Sequence, residues 1–244
     1  LSVGTDCSGM EAPIQALIGL NIHHHHEFAC DNCEKVAKTI RANHSPRVFY
    51  PEIKQRDHST TPYVDLYVAG FPCQPFSVAG KQQGFEDDQG RGIIFFEIAK
   101  YLNTQRPKIF ILENVKGLVL MDNGKCLKSI LTILRNIGKN DSDVRGATNG
   151  SFAYEIHHKI LNTKDHGIPH SRPRWYCVGL RKDVVHTPSG GLAFSFPETI
   201  PCPTMDEFLD TPTKAPCTTQ VVAQSSTAQH NIREARTKII EAGF

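Results

Sequence analysis

The feature that most constrains this chain is an alternation of short apolar, β-branched runs with amphipathic stretches, sustained over most of its 244 residues. Strand-like segments at Leu1–Asp6, Glu27–Cys30, Val48–Ile53, Val64–Ala69 and Ile109–Glu113 alternate with helix-like ones. The helices fall at about Glu11–Leu20, Glu34–Asn43, Gly92–Asn103 and Lys125–Ile137. Parallel neighbours need a crossover between them, so the pattern predicts an α/β chain with a mostly parallel sheet and helices on both faces. Asp141–Ser151 is polar and Gly-rich and reads as a loop. Two further runs, Tyr154–Leu161 and Arg174–Arg181, lie too close together for a crossover helix. They predict an antiparallel pair closing the sheet.

Other features set bounds. No apolar run approaches the ~20 residues of a membrane span, so no membrane partner is expected. Eight cysteines, several inside strand-like runs, are too sparse for a disulfide scaffold and point to a reducing, intracellular setting. That would be the nucleus in a eukaryote and the cytoplasm in a bacterium. Cys30 and Cys33 have CxxC spacing, but no second pair follows at zinc-finger distance, so packing is expected of them and no metal site. His23–His26 reads as a short exposed polar run. A net charge of +2 neither demands nor excludes a nucleic-acid partner. From His186 prolines cluster, which suggests a catalytic domain over 1–185, a linker over 186–201 and a second region over 202–244. Gln229–Ala242 within that region has a charged, helical pattern. The opening Leu1-Ser2-Val3 reads directly as strand without an initiator Met, so a piece of a longer protein is expected.

Ends of strands carry the chemistry-bearing residues. Cys73 follows the run Val64–Ala69 and is flanked by Pro72 and Pro75, where open α/β sheets place their sites. Only a thiolate is a useful nucleophile, so Cys73 is either an activated nucleophile or a buried, inert thiol. Glu113 follows four apolar residues, and desolvation there raises a carboxyl pKa and favours a proton-donating form. The bland role for it is a partner to a nearby Arg or Lys. Arg172 and Arg174, at i and i+2 of an extended segment, point the same way and suit a carbonyl oxygen, phosphate or carboxylate. A solvated basic edge fits the same spacing. The first turn, with Ser8, Gly9 and Met10, offers backbone N–H groups to the polar end of a cofactor. Asp31, beside Asn32, ends the second strand, and Asp57, beside His58, is read as ending the third. Carboxylates there bind ribose hydroxyls, although any one of them could cap a turn.

Phe71-Pro72-Cys73-Gln74-Pro75-Phe76-Ser77, Glu113-Asn114-Val115 and Arg172-Pro173-Arg174 together resemble the ordered signature motifs of the cytosine-5 DNA methyltransferase family. The similarity runs from about residue 3 to 181 and includes Arg91–Ile98. It implies a Rossmann-like class I methyltransferase sheet with an antiparallel last strand, and S-adenosyl-L-methionine as cofactor. Pro72 and Ile94 join the cofactor-binding residues by the same resemblance. It further implies that Cys73 adds to ring carbon 6 of a cytosine flipped out of double-stranded DNA. Glu113 then bonds ring nitrogen 3 and the exocyclic amine, and Arg174, with Arg172 beside it, contacts the carbonyl oxygen. The sequence departs from the family pattern at Cys7, where an aromatic is usual, at Glu11 and Ala12, where glycines are usual, and at His170, where Gln is usual. The family's later motifs are not found; Arg233-Glu234-Ala235-Arg236 resembles a piece of one in a different context. Residues 202–244 are therefore expected to be the start of a target-recognition region. Two alternatives stay open: a methyltransferase acting on cytosine in transfer RNA, which usually has Thr in place of Ser77, and a non-catalytic binding module.

Overall fold

The structure is a computed structural model that describes residues 1–72, 94–138, 153–185 and 194–209. Its strands are β1 (Ser2–Asp6), β2 (His25–Cys30), β3 (Val48–Tyr50), β4 (Leu66–Ala69), β5 (Ile109–Val115), β6 (Tyr154–Asn162) and β7 (Pro173–Arg181). The helices are α1 (Ala12–Gly19), α2 (Glu34–Asn43), α3 (Ile94–Gln105), α4 (Gly117–Leu120), α5 (Lys125–Arg135) and α6 (Lys182–Val185). The strands form one sheet in the order β3-β2-β1-β4-β5-β7-β6. All pairings among β1 to β5 are parallel, while β7 runs antiparallel to both β5 and β6. The predicted Rossmann-like α/β sheet with its antiparallel last strand is therefore the one that forms.

The chain leaves β1 toward β2 and β3 on one side and returns to β4 and β5 on the other. Right-handed crossovers in opposite directions put their helices on opposite faces. Two apolar clusters reflect this. Ile14 and Leu17 of α1 pack on Val3 and Leu66, whereas Phe95, Ile98, Tyr101 and Leu102 of α3 share the larger core with Phe28, Tyr67 and Phe110. Alternate residues of β1 and β4 thus serve different faces, as the pleat requires. In α2 the buried residues are Ala37 and Ile40, and Glu34 and Arg41 lie at the ends where the helix dipole favours their charges.

Two glycines admit aromatic rings across the ladder. Gly4 stands opposite Phe28 and Gly179 opposite Phe110. A Cβ at either position would come within 2.2 and 2.1 Å of the respective ring.

Three sequence expectations are corrected. His23–His26 is not simply an exposed polar run, because His25 and His26 open β2 and the His26 side chain is only 7% exposed. The register slips between Val3 and Gly4, so that Glu27 is the extra residue of a bulge beside His26. Asp57 does not end a strand: β3 stops at Tyr50, and a 3-10 turn at Ile53–Gln55 intervenes. Of the CxxC pair, Cys30 is buried and Cys33 is exposed at the head of α2, so packing holds for Cys30 alone.

The chain divides into compact units over Leu1–Pro203 and Thr204–Phe244. In the first, Phe194 stacks on His157 and Ile200 N–H donates to Asp165 O, tying residues 194–200 to the β6–β7 region. In the second, the described residues hold a single 3-10 turn, Met205–Phe208, opened by a Thr204–Glu207 capping box. No helix among the described residues is long and apolar enough to cross a membrane. The Asp141–Ser151 loop and the Gln229–Ala242 helix lie outside the described residues.

Candidate active site

The parallel strands β1 to β5 present their carboxyl ends to one edge of the sheet, and a cavity of about 520 Å3 opens there. This is the crevice where the connections diverge on either side of β1, the general ligand position in open α/β sheets. Cys7, Cys30, Asp31 and Asn32 line it from β1 and β2, and Glu52, Ile53 and Lys54 from the segment after β3. Gly70, Phe71, Pro72 and Ile94 line it from the β4 side, Glu113 and Val115 from β5, and Arg172 and Arg174 from the residue before β7 and from its start.

On the β2 side, Asp31 is fixed at both carboxylate oxygens. Gly9 N–H donates to Oδ2 at 3.0 Å and Cys33 N–H to Oδ1 at 2.9 Å. Each oxygen keeps a further lone pair for a ligand hydroxyl. Ser8 does not line the cavity; its buried hydroxyl accepts from Cys30 N–H at 3.1 Å and staples the first turn to β2. Gly9 acts through Asp31, and Met10 points to solvent at 71% exposure. Asp57 and His58 stand apart from the cavity lining. Asp57 accepts from the N–H and hydroxyl of Ser59, capping its own turn, and those bonds hold its pKa below the ordinary value. His58 Nε2 lies 3.0 Å from Glu97 Oε2 on α3. The carboxylate that does reach the cavity from this segment is Glu52, which sequence reasoning missed. It follows Tyr50 by two residues across Pro51, and its Oε1 also accepts from Lys54 N–H.

On the β5 side, Arg174 Nε lies 2.9 Å from Glu113 Oε1. The antiparallel pairing of β5 with β7 sets Arg174 opposite Val115, next to the acid. Glu113 Oε2 lies 3.4 Å from where a Cβ on Gly70 would stand, so a glycine at the end of β4 leaves room for the carboxylate. Burial raises the Glu113 pKa despite the opposing charges of Arg174 and Arg172. The group is thus poised to hold a proton more readily than a free carboxylate while remaining oriented by a cation. Asn114, buried, donates from Nδ2 to Phe71 O at 3.2 Å and accepts from Val115 N–H at 2.8 Å. It fixes the backbone of Phe71, whose neighbour Pro72 is in the cavity wall. The next residue, Cys73, lies outside the described residues, as do Arg91, Gly92 and Ile93 of the Arg91–Ile98 stretch, whose remainder opens α3.

Of the residues expected in the site, Asp31, Asn32, Pro72, Ile94, Glu113, Arg172 and Arg174 are brought together. The family described as C-5 cytosine-specific DNA methylase matches residues 7–243. The chain belongs to this C-5 cytosine methylase family. Among relatives, the type II methyltransferase M.NgoBI of Neisseria gonorrhoeae is 38% identical over 180 residues, 71% of this chain and 49% of that protein. M.HpaII of Haemophilus parainfluenzae is 38% identical over 172 residues, covering 70% and 42%. The chain thus spans about half the length of these type II methyltransferases. Among solved structures, a Spodoptera frugiperda DNMT2 mutant aligns with a TM-score of 0.62 at 16% identity, over 87% of this chain and 60% of that one. At that identity the likeness bears on the fold.

Proposed function

We propose that this chain is the catalytic part of an S-adenosylmethionine-dependent DNA (cytosine-5) methyltransferase that acts through Cys73. The observation that carries the reading is the convergence of Asp31, Pro72, Glu113 and Arg174 on one cavity at the strand ends. Its donor set fits the cofactor. Asp31 and Glu52 offer carboxylates to ribose hydroxyls, and Ile53, Phe71 and Ile94 offer apolar surface to a purine. When bound, S-adenosylmethionine supplies an electrophilic methyl group on a positively charged sulfur.

Residues of this chain do the rest. Cys73 supplies a thiolate to ring carbon 6 of the cytosine, because carbon 5 is a poor nucleophile until that addition breaks the ring's aromaticity. Once carbon 5 carries the methyl group, loss of its proton expels the Cys73 thiolate and restores the ring. Glu113, its pKa raised by burial, lends a proton toward ring nitrogen 3. Arg174 holds the Glu113 carboxylate from one side, and with Arg172 it faces the base's carbonyl oxygen. The target base leaves the duplex to reach these groups. Residues 202–244 begin the region that reads the flanking sequence. Ser8 and Gly9 support the cofactor through β2 and Asp31, and Glu52 with Ile53 takes the place expected of Asp57 and His58.

The test is transfer of labelled methyl groups from S-adenosylmethionine to duplex DNA and to transfer RNA, side by side. Incorporation at carbon 5 of cytosine in the duplex is expected; incorporation into transfer RNA alone, or into neither, would overturn the reading. Asp31→Ala should weaken S-adenosylmethionine binding by about 1.5–3 kcal/mol, the range for hydrogen bonds to a charged group. Calorimetric affinity that survives this change would remove Asp31 from the site.

A further inference from the structure

The turn after β1 adopts backbone that its residues do not favour. Cys7, Gly9 and Glu11 have φ of 51°, 54° and 57°, in the left-handed region where glycine alone is at ease. Such an outlier persists only where its surroundings over-determine it. At Glu11 the surroundings are polar and closed to solvent: the residue is 0% exposed. Thr5 Oγ1 donates to Glu11 Oε1 at 2.9 Å, and Ser8 Oγ lies 2.8 Å from Thr5 Oγ1. His26 Nε2 is 3.6 Å from Glu11 Oε1 and 3.5 Å from Thr5 Oγ1. Glu11 Oε2 and His26 Nδ1 have no hydrogen-bond partner among the described residues.

Connections lead from this cluster to the cofactor cavity. Ser8 N–H donates to Cys30 O at 3.1 Å, Ser8 Oγ accepts from Cys30 N–H, and Gly9 N–H donates to Asp31 Oδ2. The turn that Glu11 terminates therefore holds the carboxylate on which ribose recognition rests. Resting on the cofactor reading above, we propose that Glu11, clasped by Thr5, Ser8 and His26, is a positioning residue for the cofactor: it locks the turn that orients Asp31.

The clasp is sensitive to pH. Burial raises the Glu11 pKa to about 7, against the hydroxyls of Thr5 and Ser8, and lowers that of His26 to about 4. Between those values the pair keeps one proton and no net charge. Asp6 and Asp31 face Glu11 with like charge, Asp6 being paired with Arg56, while His44 and His24 face His26. When the proton leaves, an unneutralised carboxylate remains in a closed pocket beside two other acids, and the turn loosens.

The experiment is calorimetric titration of S-adenosylmethionine into the unmodified chain, E11Q and E11G at pH 6 to 8.5. The cofactor's own amine titrates in every case, so the readout is the difference between profiles. Affinity of the unmodified chain should fall about tenfold more than that of E11Q across this range, the size of one lost hydrogen bond to a charged group. Gln keeps the acceptor for Thr5 and cannot ionise. E11G accepts the left-handed backbone without strain, and should nevertheless bind more weakly than E11Q at every pH. Parallel profiles for the unmodified chain and E11Q, or an E11G affinity equal to that of E11Q, would overturn the clasp. If the unmodified chain binds no cofactor, the function proposed above fails, and thermal melting still decides the clasp. A carboxyl whose folded pKa is raised loses stability as pH climbs from its unfolded value through its folded one. E11Q should therefore gain several degrees on the unmodified chain between pH 5 and 8, and a constant difference would overturn the inference.

Discussion

Replacing Cys73 by Ser is expected to reduce methyl transfer to background and to abolish covalent capture of cytosine carrying fluorine at ring carbon 5. Fluorine at that position cannot leave as a proton does, so the thioether at carbon 6 is never resolved. With S-adenosylmethionine present, the intact mass should rise by the oligonucleotide and one methyl group. A serine hydroxyl is far harder to deprotonate than a thiol, so the variant should show no adduct. The buried cysteines are poor substitutes. Burial holds the thiols of Cys7 and Cys30 well above their ordinary pKa, pushes Cys177 up to about 12 and Cys126 to about 11. Cys177→Ser should leave the adduct intact, while Glu113→Gln should slow its formation strongly, because an amide lends no proton to the ring. An adduct that survives Cys73→Ser would sink the mechanism.

The second large effect concerns stability. Asp6, at the end of β1, receives two 2.6 Å bonds from Arg56 and a third of 2.6 Å from the Tyr67 hydroxyl. Both charged side chains are 0% exposed. Burial opposes the Arg56 charge, yet Asp6 outweighs it and raises the guanidinium pKa above its ordinary value. The Arg56 guanidinium also lies 5.1 Å from the centre of the Phe28 ring and 5.2 Å from that of Tyr50. Arg56→Ala strands a carboxylate in the core and should cost about 3–5 kcal/mol, the range for breaking a buried pair. Urea titration checks this. The melting temperature should drop by roughly 10 °C at this chain length. Replacing both partners by apolar residues of similar volume should recover much of the loss, since the pair's own desolvation disappears with it.

The sheet was legible because most of its strands carry a short apolar, β-branched run, and α2 was found at its observed bounds because Ala37 and Ile40 repeat at helical spacing. Asp31 and Glu113 were legible as candidates for a related reason, since each closes an apolar run, whereas Arg172 and Arg174 stood out by their i, i+2 spacing on an extended segment. Glu52 escaped because the strand-like run Val48–Ile53 places it inside the strand, whereas β3 is only three residues long and ends at Tyr50, two residues before the acid. The signal available was distance, since a short strand must be followed at once by its site residue. Glu11 and His26 were missed for a different reason. A buried acid and a buried imidazole look polar and exposed in a sequence, and only the bulge at Glu27 and the turn of α1 bring them together.

The two glycines under aromatic rings impose a rule on how this protein can change. At Gly4 and Gly179 the missing Cβ is occupied space, filled by the Phe28 and Phe110 rings on the neighbouring strands. A larger residue at either position collides with a ring, and a smaller one at Phe28 or Phe110 leaves a void over bare backbone. Either single step is disfavoured, whereas the pair of steps exchanges volume across the ladder and is tolerated far better. Positions 4 and 28, and positions 110 and 179, are thus bound to drift together. Descendants of this chain would record the contact as correlated replacement even if every other trace of the sheet had been lost.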